Sequence, residues 1–118
     1  MRFLCIYKPG VPEGAPPTQE EMTHMGGLIE EMTRAGVLIT TEGCQPSAKG
    51  FRVRVDGSDF TVTDGPFSET KELIGGFAII QVASKEEAVA WTKRFLTVAG
   101  RGESEVRLLH EMPPGGTC

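Results

Sequence analysis

Residues 63–77 read T-D-G-P-F-S-E-T-K-E-L-I-G-G-F and divide the chain into two differently patterned parts. Asp64-Gly65-Pro66 is typical of a tight turn: Asp can hydrogen-bond to nearby backbone, Gly tolerates positive φ, and Pro fixes φ at about −65°. A mixed-charge run follows at residues 69–72, and Gly75-Gly76 then opens an apolar strand. The segment therefore separates a predicted β-hairpin from the second half of the fold.

Residues 50–64, immediately before this segment, predict the β-hairpin. Apolar and basic side chains alternate in its first half, and apolar side chains resume after an Asp56-Gly57 turn. The alternating apolar residues are Phe51, Val53, Val55, Phe60 and Val62. Carried one step further, the alternation places Asp64 on the same face as Phe60 and Val62, and we expect that face to be buried.

A β-α-β pattern lies on each side of the hairpin. The strands at residues 2–7 and 76–82 are apolar on both faces, which predicts burial on both sides. Each helix begins at a capping box, one at Thr18 and one at Ser84, and carries an apolar stripe. Shorter strands are expected at residues 37–41 and 105–110. This order predicts an α+β fold of ferredoxin-like type, β-α-β, inserted β-hairpin, β-α-β.

The apolar strands also predict self-association. Two helices on one face of a small antiparallel sheet leave the other face bare. We assign Phe3, Tyr7, Phe77 and Ile79 to that bare face, where an apolar patch normally marks an interface. A symmetric homodimer with its two sheets packed face to face would cover it.

The block at residues 63–77, with E-G-C-Q-P-S at residues 42–47, resembles the signature of the DGPF-domain branch of the YCII-related protein family. The domain is expected to cover residues 1–112, followed by a disordered C-terminal tail at residues 113–118. The resemblance implies a dimeric α+β barrel and assigns no catalytic residue. Proteins of this branch are similar to ones encoded beside sigma-factor genes, which implies an accessory or sensory partner of a transcription regulator.

Composition restricts the class of protein. The net charge of −4 and the scattered Lys and Arg residues argue against direct nucleic-acid binding. No apolar run approaches the roughly 18 residues of a membrane-spanning helix, and the N-terminus is too short before Lys8 and Pro9 for a signal peptide. The three cysteines lack metal-ligand spacing. We therefore expect a cytoplasmic protein with no membrane contact, no metal and no cofactor.

Asp64 is the first candidate for chemistry. A carboxylate on an apolar face has its pKa raised by desolvation unless a cation or backbone N–H groups pair with it, and such a group suits general acid or base catalysis. The alternative is a turn residue whose side chain only holds the Asp64-Gly65-Pro66 turn.

Other candidates are charged or titratable. Arg52, Arg54, Glu69 and Lys71 are candidates for binding a polar or anionic substrate, although charge runs commonly form a solvated face. His24 is a candidate proton carrier because imidazole titrates near neutral pH. Cys44 lies in a polar loop without an evident activating base, and the family motif more usually has an apolar residue there.

Three functions are open from sequence. The first is binding of a small polar or anionic molecule in a cleft between sheet and hairpin, with acid–base chemistry at Asp64. The second is the transcription-regulator partner, and the third is a structural dimer without catalysis. Whether the chain is an enzyme stays open, because no phosphate-binding loop, G-x-S-x-G or H-E-x-x-H motif is present.

Overall fold

The computed structural model describes residues 1–11, 17–67 and 73–111. Six strands and two helices follow one another in these segments: β1 (Arg2–Lys8), α1 (Gln19–Arg34), β2 (Leu38–Gly43), β3 (Phe51–Asp56), β4 (Asp59–Asp64), β5 (Gly76–Gln81), α2 (Lys85–Ala99) and β6 (Glu103–Leu108). The α+β class predicted from sequence is confirmed. The predicted C-terminal tail lies outside the described residues.

Four of the strands form one antiparallel sheet in the order β2-β5-β1-β6. The central strands are β1 and β5, where Phe3 lies opposite Ile80 and Cys5 opposite Ala78. Strand β6 begins two residues earlier than the sequence pattern indicated and ends at Leu108. Strands β3 and β4 form a separate two-stranded sheet.

The core lies between one face of the four-stranded sheet and the two helices. Phe3 is 7% exposed and Ile80 1%, and both belong to a cluster with Leu28 and Met32 of α1 and Ala88 of α2. Opposed residues of an antiparallel pair point to the same face, so Phe3 and Ile80 both face the helices.

This register corrects the predicted interface face. Phe3 and Tyr7 point towards the helices: Phe3 is in the core cluster, and the Tyr7 ring packs against Phe95 of α2. The opposite, open face carries Leu4, Ile6, Phe77 and Ile79, since these alternate with the core residues along β1 and β5. The sequence prediction was wrong for Phe3 and Tyr7 because β1 is apolar on both faces, so alternation alone could not choose between them.

The predicted capping box is complete at Thr18 and half formed at Ser84, where Ser84 Oγ accepts from the Glu87 N–H but the Glu87 carboxylate accepts from the Ala83 N–H. Thr18 Oγ1 accepts a hydrogen bond from the Glu21 backbone N–H at 3.1 Å, and Glu21 Oε1 accepts one from the Thr18 N–H at 3.3 Å, which is the predicted capping box. Gly36, at φ +75°, follows the end of α1 in a conformation that favours glycine. No helix in the described segments is long and apolar enough to cross a bilayer.

The β3–β4 hairpin has the predicted register but not the predicted burial. Val53 lies opposite Val62, and Phe51 lies opposite Asp64. Every residue of both strands is exposed. Asp64 does share a face with Phe60 and Val62, as expected, yet that face is uncovered by the described part of the chain. The desolvated environment predicted for Asp64 is therefore not provided by the described residues.

The hairpin is fixed at its base by residues of the 63–77 segment. The Gly65 N–H donates to the Gly50 carbonyl at 2.9 Å, and the Phe67 N–H donates to Ser47 Oγ at 2.9 Å. The Arg52 guanidinium lies 3.8 Å from the centre of the Phe67 ring. A Cβ at Gly65 would lie 1.8 Å from the Ser47 carbonyl oxygen, so only glycine fits there.

A close backbone approach at Gly76 gives a stability prediction. A Cβ at Gly76 would lie 2.7 Å from the Glu42 carbonyl oxygen and 3.2 Å from the Gly43 Cα. Because both neighbours are backbone atoms of β2, Gly76→Ala should lower the free energy of unfolding by about 1–3 kcal/mol in urea denaturation. Gly27→Ala is the control: its Cβ would meet nothing within 4 Å, and it should stabilise α1 by up to about 1 kcal/mol. Equal effects of the two substitutions would contradict the close approach.

Candidate functional site

A cavity of about 350 Å³ lies between the helix-facing side of the sheet and the two helices. Its sheet wall contains Cys5, Tyr7, Thr41, Gly76, Ala78 and Ser104, among others. Its helix wall contains Met25, Leu28, Ile29 and Met32 of α1 and Trp91, Thr92 and Phe95 of α2. Apolar groups form most of the wall, with hydroxyl and thiol groups at a few points. We call this space the helix–sheet cavity.

Small residues create the space. Gly76 and Ala78 occupy the wall of the cavity on β5, where the next residue with the same parity, Ile80, fills the core. Ala78 lies opposite Cys5 on β1 and Thr41 on β2. The sheet therefore changes along its length from a packed region at Ile80 to a hollow region at Ala78 and Gly76.

Cys5 places a thiol on the cavity wall. Burial raises the pKa of the Cys5 thiol, and a hydrogen bond with Thr92 opposes that shift without cancelling it. The Thr92 hydroxyl donates to the Ala88 carbonyl at 2.8 Å, as helical threonines commonly do. At neutral pH the thiol is therefore protonated, which suits a hydrogen-bonding or packing role better than nucleophilic attack.

Tyr7 is held in place from several sides. Its hydroxyl donates to the Arg101 carbonyl at 2.9 Å, and its ring meets Phe95 edge to face with 5.1 Å between ring centres. A Cβ at Gly75 would lie 2.9 Å from Cδ2 of the Tyr7 ring, and a Cβ at Gly102 would lie 3.0 Å from Cε1. The glycines on both sides let the backbone approach the ring, so Tyr7 forms a fixed wall.

A more open groove adjoins the helix–sheet cavity. The two spaces share Tyr7, Met25, Ile29, Gly75 and Phe95 as lining residues. Cys44, which is exposed, and Arg101 also line this groove. The Tyr7–Phe95 pair thus lies on the boundary between an outer groove and an inner, mainly apolar cavity.

An ion pair joins the two helices beside this cavity. Arg94 of α2 donates to Glu31 of α1, with 2.8 Å between Nη2 and Oε1, and its guanidinium lies 5.0 Å from the Trp91 ring centre. The hydrogen bond with Arg94 lowers the pKa of the Glu31 carboxyl. Trp91 itself lines the cavity, so this contact fixes one part of the helix wall.

The residues predicted from sequence do not line the cavity. Asp64, Arg52 and Arg54 are exposed on the hairpin, with both arginines on the face opposite Asp64. His24 is exposed on α1. Glu69 and Lys71 lie outside the described residues. The structure therefore brings Arg52 and Arg54 together on one strand and joins neither to Asp64 or His24.

The described segments contain no cluster of metal-ligating side chains. Within residues 1–11, 17–67 and 73–111, no three His, Cys, Asp or Glu side chains come close enough together to hold one ion.

Sequence reasoning missed the residues that do line the cavity. Tyr7 was assigned to the face away from the helices, and Cys5 shares the Tyr7 face because side chains alternate along β1. Trp91 and Phe95 belong to the apolar stripe of α2, and such a stripe does not show whether its residues fill the core or line a cavity. The available signal was the small residues of β5, Gly76 and Ala78, opposite large aromatic residues of the helix. Small strand residues opposite large helix residues indicate a cavity only when the strand pairing, and so the face on which each residue lies, is known.

The molecule is thus a mixed α+β protein with an antiparallel sheet, two helices on one face and a cavity between them. The model of the YCII-related domain matches residues 1–112, and the chain belongs to that family. An uncharacterized protein of Rhizobium meliloti (strain 1021) is 29% identical over 115 residues, covering 95% of this chain and 93% of that protein.

A solved structure shares the fold. It is 5-chloro-2-hydroxyhydroquinone dehydrochlorinase from Burkholderia phenoliruptrix, in complex with 2,5-dihydroxybenzoquinone. The TM-score is 0.51 at 13% sequence identity, and the match covers 99% of this chain and 100% of the dehydrochlorinase chain. At this identity the likeness concerns the fold alone.

The thiol environments give a reactivity prediction. Because burial raises the pKa of Cys5 while Cys44 is exposed, iodoacetamide at about pH 8 should alkylate Cys44 at least tenfold faster than Cys5. The Cys5 rate should keep rising as the pH increases, since more thiolate forms. Peptide mass spectrometry of a time course measures both residues in one sample. Alkylation of Cys5 at the Cys44 rate would contradict the buried position on the cavity wall.

Proposed function

We propose that this protein binds a small, mainly apolar molecule, of about one aromatic ring with hydroxyl or carbonyl groups, in the helix–sheet cavity. The observation that carries the proposal is the cavity itself: about 350 Å³, partly open, between sheet and helices, with aromatic and thioether walls and a few hydroxyl groups. Ligand sites of small molecules commonly have such a mixture, at volumes of roughly 300–1,000 Å³.

The wall chemistry supports this ligand class. Tyr7, Trp91 and Phe95 offer ring faces and edges, and Met25 and Met32 adapt to irregular shapes. Thr92, Ser104 and Cys5 offer neutral hydrogen-bonding groups. An anionic ligand would need a cation to offset its desolvation, and no Lys, Arg or His is among the lining residues. A neutral or weakly polar ring therefore fits better than the anion expected from sequence.

The structural neighbour suggests a probe. The complex with 2,5-dihydroxybenzoquinone concerns that enzyme, and its ligand is a single ring with oxygen substituents. Because 2,5-dihydroxybenzoquinone is an anion at neutral pH, hydroquinone is the single-ring probe that matches the volume and the neutral hydrogen-bonding groups of the helix–sheet cavity. Catalysis by this chain is left outside the proposal, because Cys5 is held as a thiol and no charged acid–base pair lies among the lining residues.

We also propose a ferredoxin-like topology and a dimeric α+β barrel of the DGPF branch. The strand order β2-β5-β1-β6, with both helices on one face, supports the topology. Leu4, Ile6, Phe77 and Ile79 form an apolar stripe on the open face. This stripe supports a dimer, because a second copy that covers it would remove apolar surface from water and stabilise the assembly. The proposed interface is on the face of the sheet opposite the cavity.

Filling the cavity tests the ligand proposal. Ala78→Leu should extend a side chain into the space and weaken binding of hydroquinone at least tenfold, because the ring would lose its volume. Trp91 is the one tryptophan in the sequence and lines the cavity, so its fluorescence, corrected for ligand absorbance, reports occupancy. Calorimetric titration gives the dissociation constant independently. The control is Ala90→Leu, at an exposed position of α2 outside the cavity, which should bind as wild type does.

Two results would contradict binding in the helix–sheet cavity. Equal affinity in wild type and Ala78→Leu would place the ligand elsewhere. If hydroquinone, phenol and benzoquinone all fail to change Trp91 fluorescence or to give a heat of binding at millimolar concentration, the single-ring class is wrong.

A substitution at Asp64 distinguishes binding in the helix–sheet cavity from binding in the cleft expected between sheet and hairpin. Asp64→Asn keeps the capacity for a turn hydrogen bond but removes the charge. Since Asp64 is exposed and does not line the cavity, the variant should bind the same probe within about twofold of wild type and unfold at the same temperature. A tenfold loss, equivalent to about 1.4 kcal/mol, would return the site to the hairpin and support acid–base chemistry at Asp64.

A further inference from the structure

A second space continues from the helix–sheet cavity. It is the open groove described above, of about 960 Å³, and its walls share five residues with the cavity: Tyr7, Met25, Ile29, Gly75 and Phe95. Because the same residues bound both spaces, the cavity and the groove adjoin along the Tyr7–Phe95 pair. We call the second space the outer groove.

The outer groove is mainly apolar. Beyond the shared residues, its walls include Pro9, Val11, Met22, Leu73, Ile74 and Val98. Among the described lining residues the charged ones are Glu21 and Arg101, which are opposite in sign, and Glu21 already accepts a hydrogen bond from the Thr18 N–H. An ion that left water here would find no net charge to offset its desolvation. The lining therefore favours an uncharged apolar group.

Gly26 leaves one wall of the outer groove without a side chain. It lies in the interior of α1, a helix of 16 residues, where glycine is the least favourable residue after proline. A Cβ at Gly26 would meet no atom of the described residues within 4 Å, so close packing does not account for a glycine at this position. Gly26 lines the outer groove but not the helix–sheet cavity. Its missing side chain therefore leaves groove volume that a larger residue would occupy.

We propose that the outer groove is a second subsite, which accepts a linear, uncharged alkyl substituent of the ring bound in the helix–sheet cavity, and that Gly26 makes room for this substituent. The ligand class is then an alkyl-substituted phenol or hydroquinone. Its ring lies between sheet and helices, and its chain passes the Tyr7–Phe95 pair and runs along α1. This inference rests on the proposed function, because it requires the ring to occupy the helix–sheet cavity.

The first measurable consequence is that affinity depends on the length of the alkyl chain. Each methylene group that leaves water for an apolar wall raises the affinity by up to about fourfold. Hydroquinone and its 2-methyl, 2-propyl and 2-pentyl derivatives should therefore bind to the wild-type chain with increasing affinity. We expect the pentyl derivative to bind at least about tenfold more tightly than hydroquinone. Calorimetric titration under nitrogen, which prevents oxidation of the ring, gives the four dissociation constants.

Two neighbouring glycines of α1 provide a matched pair of variants. Gly26→Leu places a side chain in the outer groove, so it should weaken binding of 2-pentylhydroquinone at least about tenfold and leave hydroquinone within about twofold of wild type. Gly27→Leu is the control, because Gly27 is also exposed, its Cβ would also meet nothing within 4 Å, and it lines neither space. It should bind all four compounds as wild type does. Both variants should melt no lower than wild type, since leucine is a better helix former than glycine.

A substitution at Met22 tests the groove through polarity instead of volume. Met22 lines the outer groove and is 49% exposed, so the fold tolerates a polar residue there. Met22→Asp puts a carboxylate beside the alkyl chain, and it should weaken binding of 2-pentylhydroquinone at least about fivefold without changing the affinity for hydroquinone.

The series also distinguishes failure of the subsite from failure of the proposed function. Ala78→Leu tests the ring position on hydroquinone, the member that has no chain, and an unchanged hydroquinone affinity there contradicts the proposed function. Failure of the outer groove appears only in the longer members. Affinity that does not increase with chain length in wild type overturns the second subsite. Equal binding of 2-pentylhydroquinone by Gly26→Leu and Gly27→Leu also overturns it, because the chain then lies on another surface, such as the exposed β3–β4 hairpin.

Discussion

The packing of Phe3 against Ile80 is the contact on which the rest of the structure depends. The two residues lie opposite each other on the central strands, and both are almost fully buried beneath the helices. Because side chains alternate strictly along a strand, this pair decides the direction of every other side chain on β1 and β5. A slip of one residue would bury Leu4 and Ile79 and expose Phe3 and Ile80. One contact therefore divides the sheet into a helix-facing side and an open side.

Both proposed surfaces follow from that division. On the helix side, the parity of Ile80 continues to Ala78 and Gly76, where the side chains become too small to fill the layer beneath Trp91 and Phe95. An apolar void costs stability because its lining atoms lose packing partners. On the open side, the same parity leaves Ile6 and Phe77 without cover from the helices. The cavity and the open face are thus two consequences of one register.

Much of the local structure could be predicted from sequence, and the tertiary pairing could not. The capping box at Thr18 and Glu21 and the hairpin turn after Asp56 depend on neighbouring residues, and both formed as expected. The faces of β1 were assigned wrongly because Phe3 and Leu4 are equally apolar, so periodicity carried no information about direction. Burial of Asp64 was inferred from the apolar side chains of its own hairpin face, but alternation says which residues share a face and nothing about whether another element covers it. The cavity depends on small residues of β5 meeting aromatic residues of α2, two elements whose packing no local pattern specifies.

The cavity and the exposed β3–β4 hairpin differ in the size of partner that each would accommodate. The cavity of about 350 Å³ between sheet and helices has the volume of a small molecule, whereas the five exposed apolar side chains of β3 and β4 form an extended surface. Any species that binds only the folded chain stabilises it in proportion to the logarithm of its concentration over its dissociation constant. A ligand in the cavity would act at constant protein concentration, while a second copy of the chain would act through the protein concentration itself. The melting temperature therefore depends on the ligand concentration in one case and on the protein concentration in the other. Each partner can be detected by varying one concentration while the other is held fixed.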